Sequence, residues 1–506
     1  MVKIIGNSIL SNGEGISISN SDRLEISSNT IQNNSGSGIS MSYSSNNLIS
    51  DNNIKNNEHG IYMDYGSRNT ISKNYFSNNA NGITIYGDNN SIKNNTLFSC
   101  INEGILIDGT NNIISYNNIT NAYQGISVLS FENRLTNNRI SNCYVGIYVC
   151  GDVSIILNNI VLSSRRAGIE CYSSYNTLKN NNITGKSSPY GIFLVGNVNS
   201  VSGNRIAVKG IGISSKGNSN TVSKNTLSNV NSGILVEGHN NAIRSNKITS
   251  NSLGLRIIGN NNKVISHRIK SKVNGVISQG NKNSISKNSI TVTKKYGLHS
   301  SGHSNVIRSN KITSKSLGLR VIGNNNKVIS HRIKSRVNGI ISHGSQNSIS
   351  KNKITMTKKY GLQSSGHNNL IRSNKITSKS SGLRVNGNNN KVISHKIKSK
   401  INGVISHGNK NLISKNKING NKKHGLQSSG HSNVISKNIP NKNKGHGIKV
   451  NGDKNKVKYN VARLCGVHGM QISGNYNAVA NNKLGKKYSK SICIYGYKNK
   501  IGKNKK

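Results

Sequence analysis

The chain has 506 residues, with 69 Lys and Arg against 14 Asp and Glu, and 32% of its residues are hydrophobic. This low apolar fraction does not fit an ordinary two- or three-domain enzyme, which needs more apolar side chains to fill its cores. No run approaches eighteen apolar residues, so a transmembrane helix is excluded, and with 2 Pro the chain fits neither collagen nor a Pro-rich linker. The first residues, MVKIIGNSIL, lack the segments of a signal peptide, so the sequence predicts no secretion.

Apolar residues recur along the chain with a fixed period. Low hydrophobicity with high net charge is typical of disorder, but a disordered chain has no such period. A glycine followed by an aliphatic residue occurs at 22 positions from Gly15 to Gly469, and Ser491-Ile492 continues the series. The 476 residues from Gly15 to Ser491 make 22 steps, a mean period of 21.6 residues. A period in this range indicates a solenoid.

Each repeat contains three short groups of apolar residues. In residues 233–248, GILVEGHNNAIRSNKI, the apolar residues lie two apart, and Gly, Asn and Ser separate the groups. This spacing predicts three short strands joined by turns. One coil cannot bury its few aliphatic side chains, whereas stacked coils form a continuous core and pair their backbones. The recurrent Asn is expected to adopt left-handed backbone at the bends and to bond to the Asn of the next coil.

The repeat resembles the right-handed parallel β-helix of the pectin-lyase-like superfamily, specifically the NosD-like repeat G-I-x-I-x-G-x-x-N-x-I-x-x-N-x-I. The resemblance covers the chain from Gly15 onward and implies an all-β fold, a single-stranded right-handed parallel β-helix of about 23 coils of 21–23 residues. Strands stacked ~4.8 Å apart would make a rod of about 110 Å. For activity the resemblance implies little, because such relatives include lyases, polygalacturonases, phage tailspikes, epimerases and copper-site accessory proteins.

The sequence predicts one continuous β-helix over residues 1–506 whose surface changes near residue 200. Residues 1–200 are neutral, with 12 Lys and Arg and 12 Asp and Glu, and they hold all four Phe and twelve of the nineteen Tyr. Residues 201–499 and the basic tail 500–506 hold the other 57 basic residues, with two acids, Glu237 and Asp453. Because the repeat continues through residue 200, this is a change of surface and not of fold.

A longer repeat is superimposed on the basic segment. The residues from Lys294 recur with few changes from Lys358, 64 residues further on. This near-identity indicates duplication of a three-coil block. A β-helix lengthened in this way is better suited to a multivalent surface or a spacer than to the frame of one catalytic pocket.

One outward strand position is cationic in nearly every coil of the basic segment. Ser289 is the exception in a series formed by Lys247, Arg268, Lys311, Arg332, Lys353, Lys375, Lys396 and Lys417. Stacked unit charges ~4.8 Å apart repel by nearly 1 kcal/mol even in water, and a bound polyanion would relieve this repulsion. We therefore predict a non-catalytic structural or binding solenoid that engages nucleic acid or an acidic glycan. In the alternative, the lysines keep the protein soluble and prevent edge-to-edge association.

A second hypothesis places a carbohydrate site in the neutral segment, where carboxylates and aromatic rings could line one edge. Its residues, near the first turn of consecutive coils, are Asp64, Asp88, Asp108, Tyr43, Tyr65 and Tyr86. Acids and Tyr at bends are also ordinary structural choices. No catalytic residue is assigned, because the basic segment lacks clustered carboxylates; an enzyme of this fold would be a polysaccharide lyase or hydrolase.

No metal site or cofactor is predicted. His303, His367 and His431 are 64 residues apart, which is three coils or ~14 Å, too far to share an ion. The 6 cysteines show no pairing pattern, so free thiols in a reducing, intracellular or virion setting are expected. A third hypothesis is a structural component of an assembly such as a virion. Neither end shows a capping helix, so association with a second copy is left open.

Overall fold

In the computed structural model, each turn of the chain consists of three short parallel strands. The structure describes residues 2–485 and 491–505, and in this part of the chain the regular elements are all strands. They form about 24 turns within two compact units, Met1–Leu255 and Arg256–Lys506. We call the strands of a turn a, b and c in chain order. The predicted all-β parallel solenoid with three strands per turn is confirmed.

The first unit has its strands in regular succession. Its a strands are Lys3–Ile5, Glu25–Ser27, Leu48–Ser50, Thr70–Ser72, Ser91–Lys93, Ile113–Ser115, Arg134–Thr136, Ile155–Leu157, Thr177–Lys179, Ser200–Ser202, Thr221–Ser223 and Ala242–Arg244. Its b strands are Ser8–Leu10, Thr30–Gln32, Asn53–Lys55, Tyr75–Ser77, Thr96–Phe98, Asn118–Thr120, Arg139–Ser141, Ile160–Leu162, Asn182–Gly185 and Arg205–Val208. Its c strands are Ile16–Ser19, Ser37–Ser42, His59–Asp64, Asn81–Tyr86, Glu103–Ile107, Gln124–Val128, Val145–Val149, Ala167–Cys171, Tyr190–Val195 and Ile211–Lys216. In Thr226–Glu237 and in Lys247–Ile258, which contains the boundary, b and c are one strand.

The second unit repeats this order. Its a strands are Lys263–Ile265, Ser284–Ser286, Val306–Arg308, Lys327–Ile329, Ser348–Ser350, Leu370–Arg372, Lys391–Ile393, Leu412–Ser414, Val434–Ser436, Lys456–Lys458, Ala478–Ala480 and Lys500–Ile501. Its b strands are Arg268–Ser271, Ser289–Val292, Lys311–Ser314, Arg332–Ser335, Lys353–Thr357, Lys375–Ser378, Lys396–Ser399, Lys417–Asn419, Ile439–Asn443, Val461–Cys465 and Lys483–Leu484. Its c strands are Asn274–Gln279, Tyr296–Ser301, Leu317–Ile322, Asn338–His343, Tyr360–Ser365, Ser381–Asn386, Val404–His407, Leu426–Ser429, Ile448–Asn451, Met470–Ser473 and Ile492–Tyr495.

The solenoid has a first turn that the glycine series of the sequence does not include. Lys3–Ile5 and Ser8–Leu10 pair with the equivalent strands of the next turn although no Gly-aliphatic pair precedes them. The solenoid therefore starts before Gly15, and about 24 turns replace the expected 23. In the predicted tail 500–506, Lys500–Ile501 forms a strand and Lys506 lies outside the described residues.

Strands of successive turns pair in register, so equivalent residues stack. Ile71 pairs with Ile92 on the a strands, and Ile105 pairs with Ile126 on the c strands, all completely buried. Burial of each such side chain contributes about 2 kcal/mol of transfer free energy. The glycine at the start of a c strand lies close to both the next turn and the b strand. A Cβ at Gly104 would lie 2.6 Å from the Gly125 carbonyl oxygen and 2.7 Å from Ile119 Cγ2, so a larger residue does not fit.

Buried Asn side chains form ladders inside the bends, as predicted. Asn52 Nδ2 donates to the carbonyl oxygens of Ile26 (2.9 Å) and Ser50 (3.0 Å) and to Asn74 Oδ1 (2.9 Å). The ladder Asn does not itself adopt the left-handed conformation. The residue before it does, as at Asp51 with φ 57°. The two roles that the sequence assigned to one Asn therefore fall on neighbouring residues.

Candidate functional site

The predicted cation column is in register within the second unit. Arg268 pairs with Ser289, and Ser289 pairs with Lys311. From there cations pair directly from turn to turn through Lys311, Arg332, Lys353, Lys375, Lys396 and Lys417. Ile439 follows Lys417 and ends the series. Lys247 is also exposed, but it lies in the first unit.

The alternation along the b strand sets which side chains face solvent. In Lys396–Ser399, Lys396 and Lys398 are exposed, whereas Ile397 and Ser399 are buried. The apolar residue between two cations fixes this orientation, because a shift of one residue would place both cations in the core. Each b strand therefore presents two outward positions, and the column occupies the first of them.

Among the described residues, no carboxylate pairs with the column in the second unit. Asp453 is the one acid in residues 256–506 of the sequence, and its Oδ2 lies 3.4 Å from His431 Nδ1. In the described part of the chain, no ion pair involves a column residue of the second unit. Within the part of the chain that the structure describes, carboxylates therefore do not compensate these positive charges.

Cations are less dense on the a and c strands of the second unit. On the a strands, Lys263 and Lys327 are separated by Ser284 and Val306. On the c strands, Arg320 and Arg384 are three turns apart, and each donates to a Tyr hydroxyl, Tyr296 at 3.3 Å and Tyr360 at 3.1 Å. The second outward position of the b strands is cationic every third turn, at Lys270, Lys334 and Lys398. Among the strands of the second unit, cations are therefore densest on the b strands, whose outward side we call the basic face.

Among the described residues, depressions interrupt the basic face. One, of about 480 Å³, is lined by Thr291, Val292, Thr293, Thr313, Ser314, Lys315, Lys334, Ser335, Arg336, Met356, Lys358 and Lys379. Another, of about 440 Å³, is lined by Lys375, Ile376, Thr377, Lys396, Ile397, Lys398, Lys417, Ile418, Asn419, Ile439, Asn441 and Arg463. The second depression lies where the column ends.

The residues of the predicted carbohydrate site lie at the ends of c strands and in the turns that follow them. Asp64 lies on a c strand and pairs with Tyr86, which is 37% exposed. Tyr43 and Tyr65 follow the c strands with left-handed φ of 48° and 55°, and their rings stack at 5.1 Å. These tyrosines and Asp64 lie on adjacent turns.

The other two carboxylates of this site accept hydrogen bonds from neighbouring turns. Asp88 lies in a turn, where its Oδ1 accepts hydrogen bonds from the Thr110 amide (2.6 Å) and hydroxyl (3.0 Å). Asp108 Oδ1 accepts one from the Ser130 hydroxyl at 2.6 Å. Both carboxylates thus have structural partners, and the carbohydrate site at these residues stays a prediction.

Sequence reasoning missed a cluster around a buried carboxylate in the first unit. Glu170 occupies an outward position of a c strand, between Tyr148 and Phe193 of the neighbouring turns, yet it is 2% exposed. Arg166 Nε lies 2.6 Å from Glu170 Oε1, and Arg166 Nη2 donates to the Tyr172 hydroxyl at 3.1 Å. Burial raises the pKa of Glu170, and Arg166 opposes this rise. The sequence signal was the succession Tyr, Glu, Phe at one outward position of consecutive repeats.

The side chains that commonly bind metal ions do not cluster in the described part of the chain. In residues 2–485 and 491–505, no group of three or more His, Cys, Asp or Glu side chains is placed to hold a metal ion. His303 and His367 lie in exposed turns, where Nδ1 of each accepts the amide of the next turn, Asn324 at 3.2 Å and Asn388 at 3.1 Å. None of the six cysteines forms a disulfide. Over the same described residues, no helix is long and apolar enough to span a membrane.

Comparison with family models places this geometry in a known group. The model described as right handed beta helix region matches residues 1–133, 81–214, 124–269, 274–395 and 365–505. The chain belongs to the right-handed β-helix family. Residues 215–332 of this β-helix also match the model of the periplasmic copper-binding protein NosD. The predicted resemblance to NosD-like β-helix repeats is confirmed.

Two solved structures match the chain at low identity and low TM-score. The β-helix is similar to the Dettilon tailspike protein (gp208), with 12% identity, a TM-score of 0.24, and coverage of 72% of this chain and 62% of that chain. It is also similar to a variant of the PL6 family alginate lyase AlyGC, with 9% identity, a TM-score of 0.23, and coverage of 98% and 97%. The chain thus spans less than two thirds of the tailspike chain. A comparison with the curated proteins finds no match.

Proposed function

We propose that the second unit of the β-helix binds a linear polyanion along its basic face. The observation that carries this proposal is the unbroken register of cations from Lys311 to Lys417. Neighbouring charges ~4.8 Å apart repel by about 0.9 kcal/mol even at the dielectric constant of water. An extended polymer with an anionic group on each monomer would replace this repulsion by attraction along the whole column.

The distribution of charge favours binding over a merely solubilising role. The three types of b strand in the duplicated block differ, as in KITS, RIKS and KITMT, yet each begins with a cation. On the a strands, by contrast, Ser284 and Val306 follow Lys263. Solubility requires charge on the surface but no particular column. A binding role requires the column and explains why it persists through unlike strands.

Replacement of column lysines by Ser should weaken polyanion binding far more than the same loss of charge elsewhere. Ser289 already occupies the column, so the fold tolerates Ser there. The column variant carries Ser at Lys311, Lys353, Lys375, Lys396 and Lys417. We expect its affinity for a heparin oligosaccharide or a single-stranded oligodeoxynucleotide to fall at least about tenfold at physiological salt. Fluorescence anisotropy with labelled probes measures this change.

The matched control removes the same number of charges from other positions. It carries Ser at Lys263, Lys282, Lys327, Lys391 and Lys410. Ser284 occupies the same a-strand column as Lys263, and Ser304 the same left-handed turn position as Lys282. We expect the affinity of the control variant for the same probes to fall by no more than about threefold, since distant exposed charges are screened. Equal losses in the two variants would show that net charge acts without the column, and the proposal would be wrong.

A second candidate function is binding of a neutral saccharide in the first unit, favoured by the rings around Glu170. Tyr172 lies 5.7 Å from Tyr148 and 5.8 Å from Phe193, measured between ring centroids. The Arg166–Glu170 pair has no net charge and offers fixed hydrogen-bonding groups beside the rings. Ring faces suit the apolar face of a sugar, and such groups suit its hydroxyls. The solenoid itself does not require an acid here, because Ser127 precedes Tyr148 in the same column.

Affinity electrophoresis in gels that contain neutral polysaccharides tests this second function. We expect retardation of the wild-type protein, and loss of most of it in Tyr172→Ala, because the ring supplies the apolar contact. Tyr175→Asn is the control, since Tyr175 is an exposed ring in a left-handed turn outside the cluster. Retardation in no gel, or equal loss in both variants, would reject a saccharide site at Glu170.

A further inference from the structure

The depression at the end of the column has cations on more than one side. The first outward position contributes Lys375, Lys396 and Lys417, and then Ile439. The second outward position, in register beside it, contributes Thr377, Lys398, Asn419, Asn441 and Arg463. A linear polymer can follow one column. In the depression, Lys398 and Arg463 of the second outward position lie beside the column. A compact anion within it therefore meets cations from both outward positions.

The spacing of these cations suits several negative charges in one small ligand. Neighbours within a column lie ~4.8 Å apart, and the two outward positions of one strand, such as Lys396 and Lys398, lie ~6.7 Å apart. Flexible ammonium groups at these separations can reach the same chain of two or three phosphates. In the described residues, no carboxylate lines the depression. A volume of about 440 Å³ is within the usual range for a small-molecule site.

The floor of the depression offers neutral groups as well. Asn441 lies in the lining, and in the described part of the chain its Oδ1 has no hydrogen-bond partner, which is a costly state that a ligand donor would relieve once the amide rotates toward the depression. Asn419 pairs with Asn441, and Arg463 pairs with Asn441 on the next turn. Ile439 adds a half-exposed apolar surface. An amide can read the edge of a nucleobase, and a guanidinium plane can stack on its face.

We propose that this depression binds a nucleoside polyphosphate, either free or as the 5′-triphosphate end of a nucleic acid. The phosphates contact Lys375, Lys396, Lys398 and Lys417, and the base lies against Ile439 and Arg463 with its edge at Asn441. This inference deepens the proposed polyanion function, because three of its lysines belong to the column. It adds a base-recognising subsite that the column itself lacks.

Titration of the full chain with a fluorescent ATP analogue, competed by ATP, by tripolyphosphate and by a 5′-triphosphorylated oligonucleotide, tests the proposal. We expect ATP to compete at least about tenfold better than tripolyphosphate, because the base makes contacts of its own. Asn441→Ala and Arg463→Ser should each lower the affinity for ATP at least fivefold. Asn441→Ala should change the affinity for tripolyphosphate by less than twofold. A free nucleotide source predicts that the 5′-triphosphorylated oligonucleotide competes no better than the same oligonucleotide with a 5′-hydroxyl; a terminal source predicts that the triphosphorylated oligonucleotide is tighter.

A variant with Ser at Lys311, Arg332 and Lys353 separates this site from the polyanion surface. These residues lie outside the depression, so the variant should bind polymers more weakly and ATP as the wild type does. If ATP competes no better than tripolyphosphate, or if Asn441→Ala leaves ATP binding unchanged, the nucleotide site is wrong even where polymers bind. If ATP binds and polymers do not, the polyanion function fails and the nucleotide site stands.

Discussion

Replacement of His331 and His395 by Asn is expected to remove a large part of the acid sensitivity of the second unit. Both imidazoles replace Asn in a buried ladder, and they are 2% and 0% exposed. Asn310 N donates to His331 Nδ1 at 3.1 Å, and His331 Nε2 donates to the Ile307 carbonyl oxygen at 3.0 Å. Nδ1 must therefore stay unprotonated. Burial lowers the pKa of both His331 and His395 to about 4.

The sign of the pH effect follows from these values. The unfolded chain protonates each His near its ordinary pKa of about 6.5, whereas the folded chain resists protonation down to about pH 4. The unfolded state therefore binds more protons in this window, and stability falls as the pH falls from about 6.5 to about 4. Each site accounts for roughly 3 kcal/mol at the low end of the window. Asn does not titrate, and its amide restores the ladder.

Urea unfolding at pH 7.5, 5.5 and 4.5 measures this effect. We expect the wild-type midpoint to fall steeply with acidification and the His331→Asn, His395→Asn double variant to fall much less. We expect His446 to cause a residual loss of stability. Burial lowers its pKa to about 4, together with the nearby His424, His468 and Lys449. His303→Asn with His367→Asn is the control, since these exposed imidazoles lie in turns. A double variant as acid-sensitive as the wild type would contradict the ladder as the origin.

The sequence predicted columns well because the repeat period converts spacing into register. Lys353, Lys375 and Lys396 are 22 and 21 residues apart, yet they pair directly. The apolar residue that follows each of them marks the strand position, so a change of one residue in turn length does not displace it. Asn ladders were predictable for the same reason, since each turn supplies the same residue at the same bend.

The sequence does not predict features that change when a turn is longer or shorter by one residue. Asp64 and Asp88 both follow a c strand closely in sequence. Asp64 ends its strand, whereas Asp88 lies two residues beyond Tyr86 in the next turn. The Glu170 cluster was missed for another reason. Its partner Arg166 lies at the corner before the strand, and a repeat pattern does not show which way a corner side chain turns.

A steep dependence of polyanion affinity on salt is the second large effect that we expect. Each phosphate or sulfate contact made by a column cation releases condensed counterions from the polymer. Contacts at Lys311, Arg332, Lys353, Lys375, Lys396 and Lys417 predict a slope of log K against log salt of about −5 for duplex DNA and about −4 for a single strand. Affinity should therefore fall roughly 10³-fold between 50 and 200 mM salt on duplex DNA.

The slope separates a column that binds as a unit from scattered charge. In the column variant, Arg332 alone of these residues keeps its charge, so the slope should fall to between about −1 and −2. The control variant, which lacks Lys263, Lys282, Lys327, Lys391 and Lys410, should keep the wild-type slope because those lysines make no contact with the polymer. Anisotropy titrations at four salt concentrations give both slopes. Equal slopes in the two variants would mean that the polymer contacts all faces of the second unit alike.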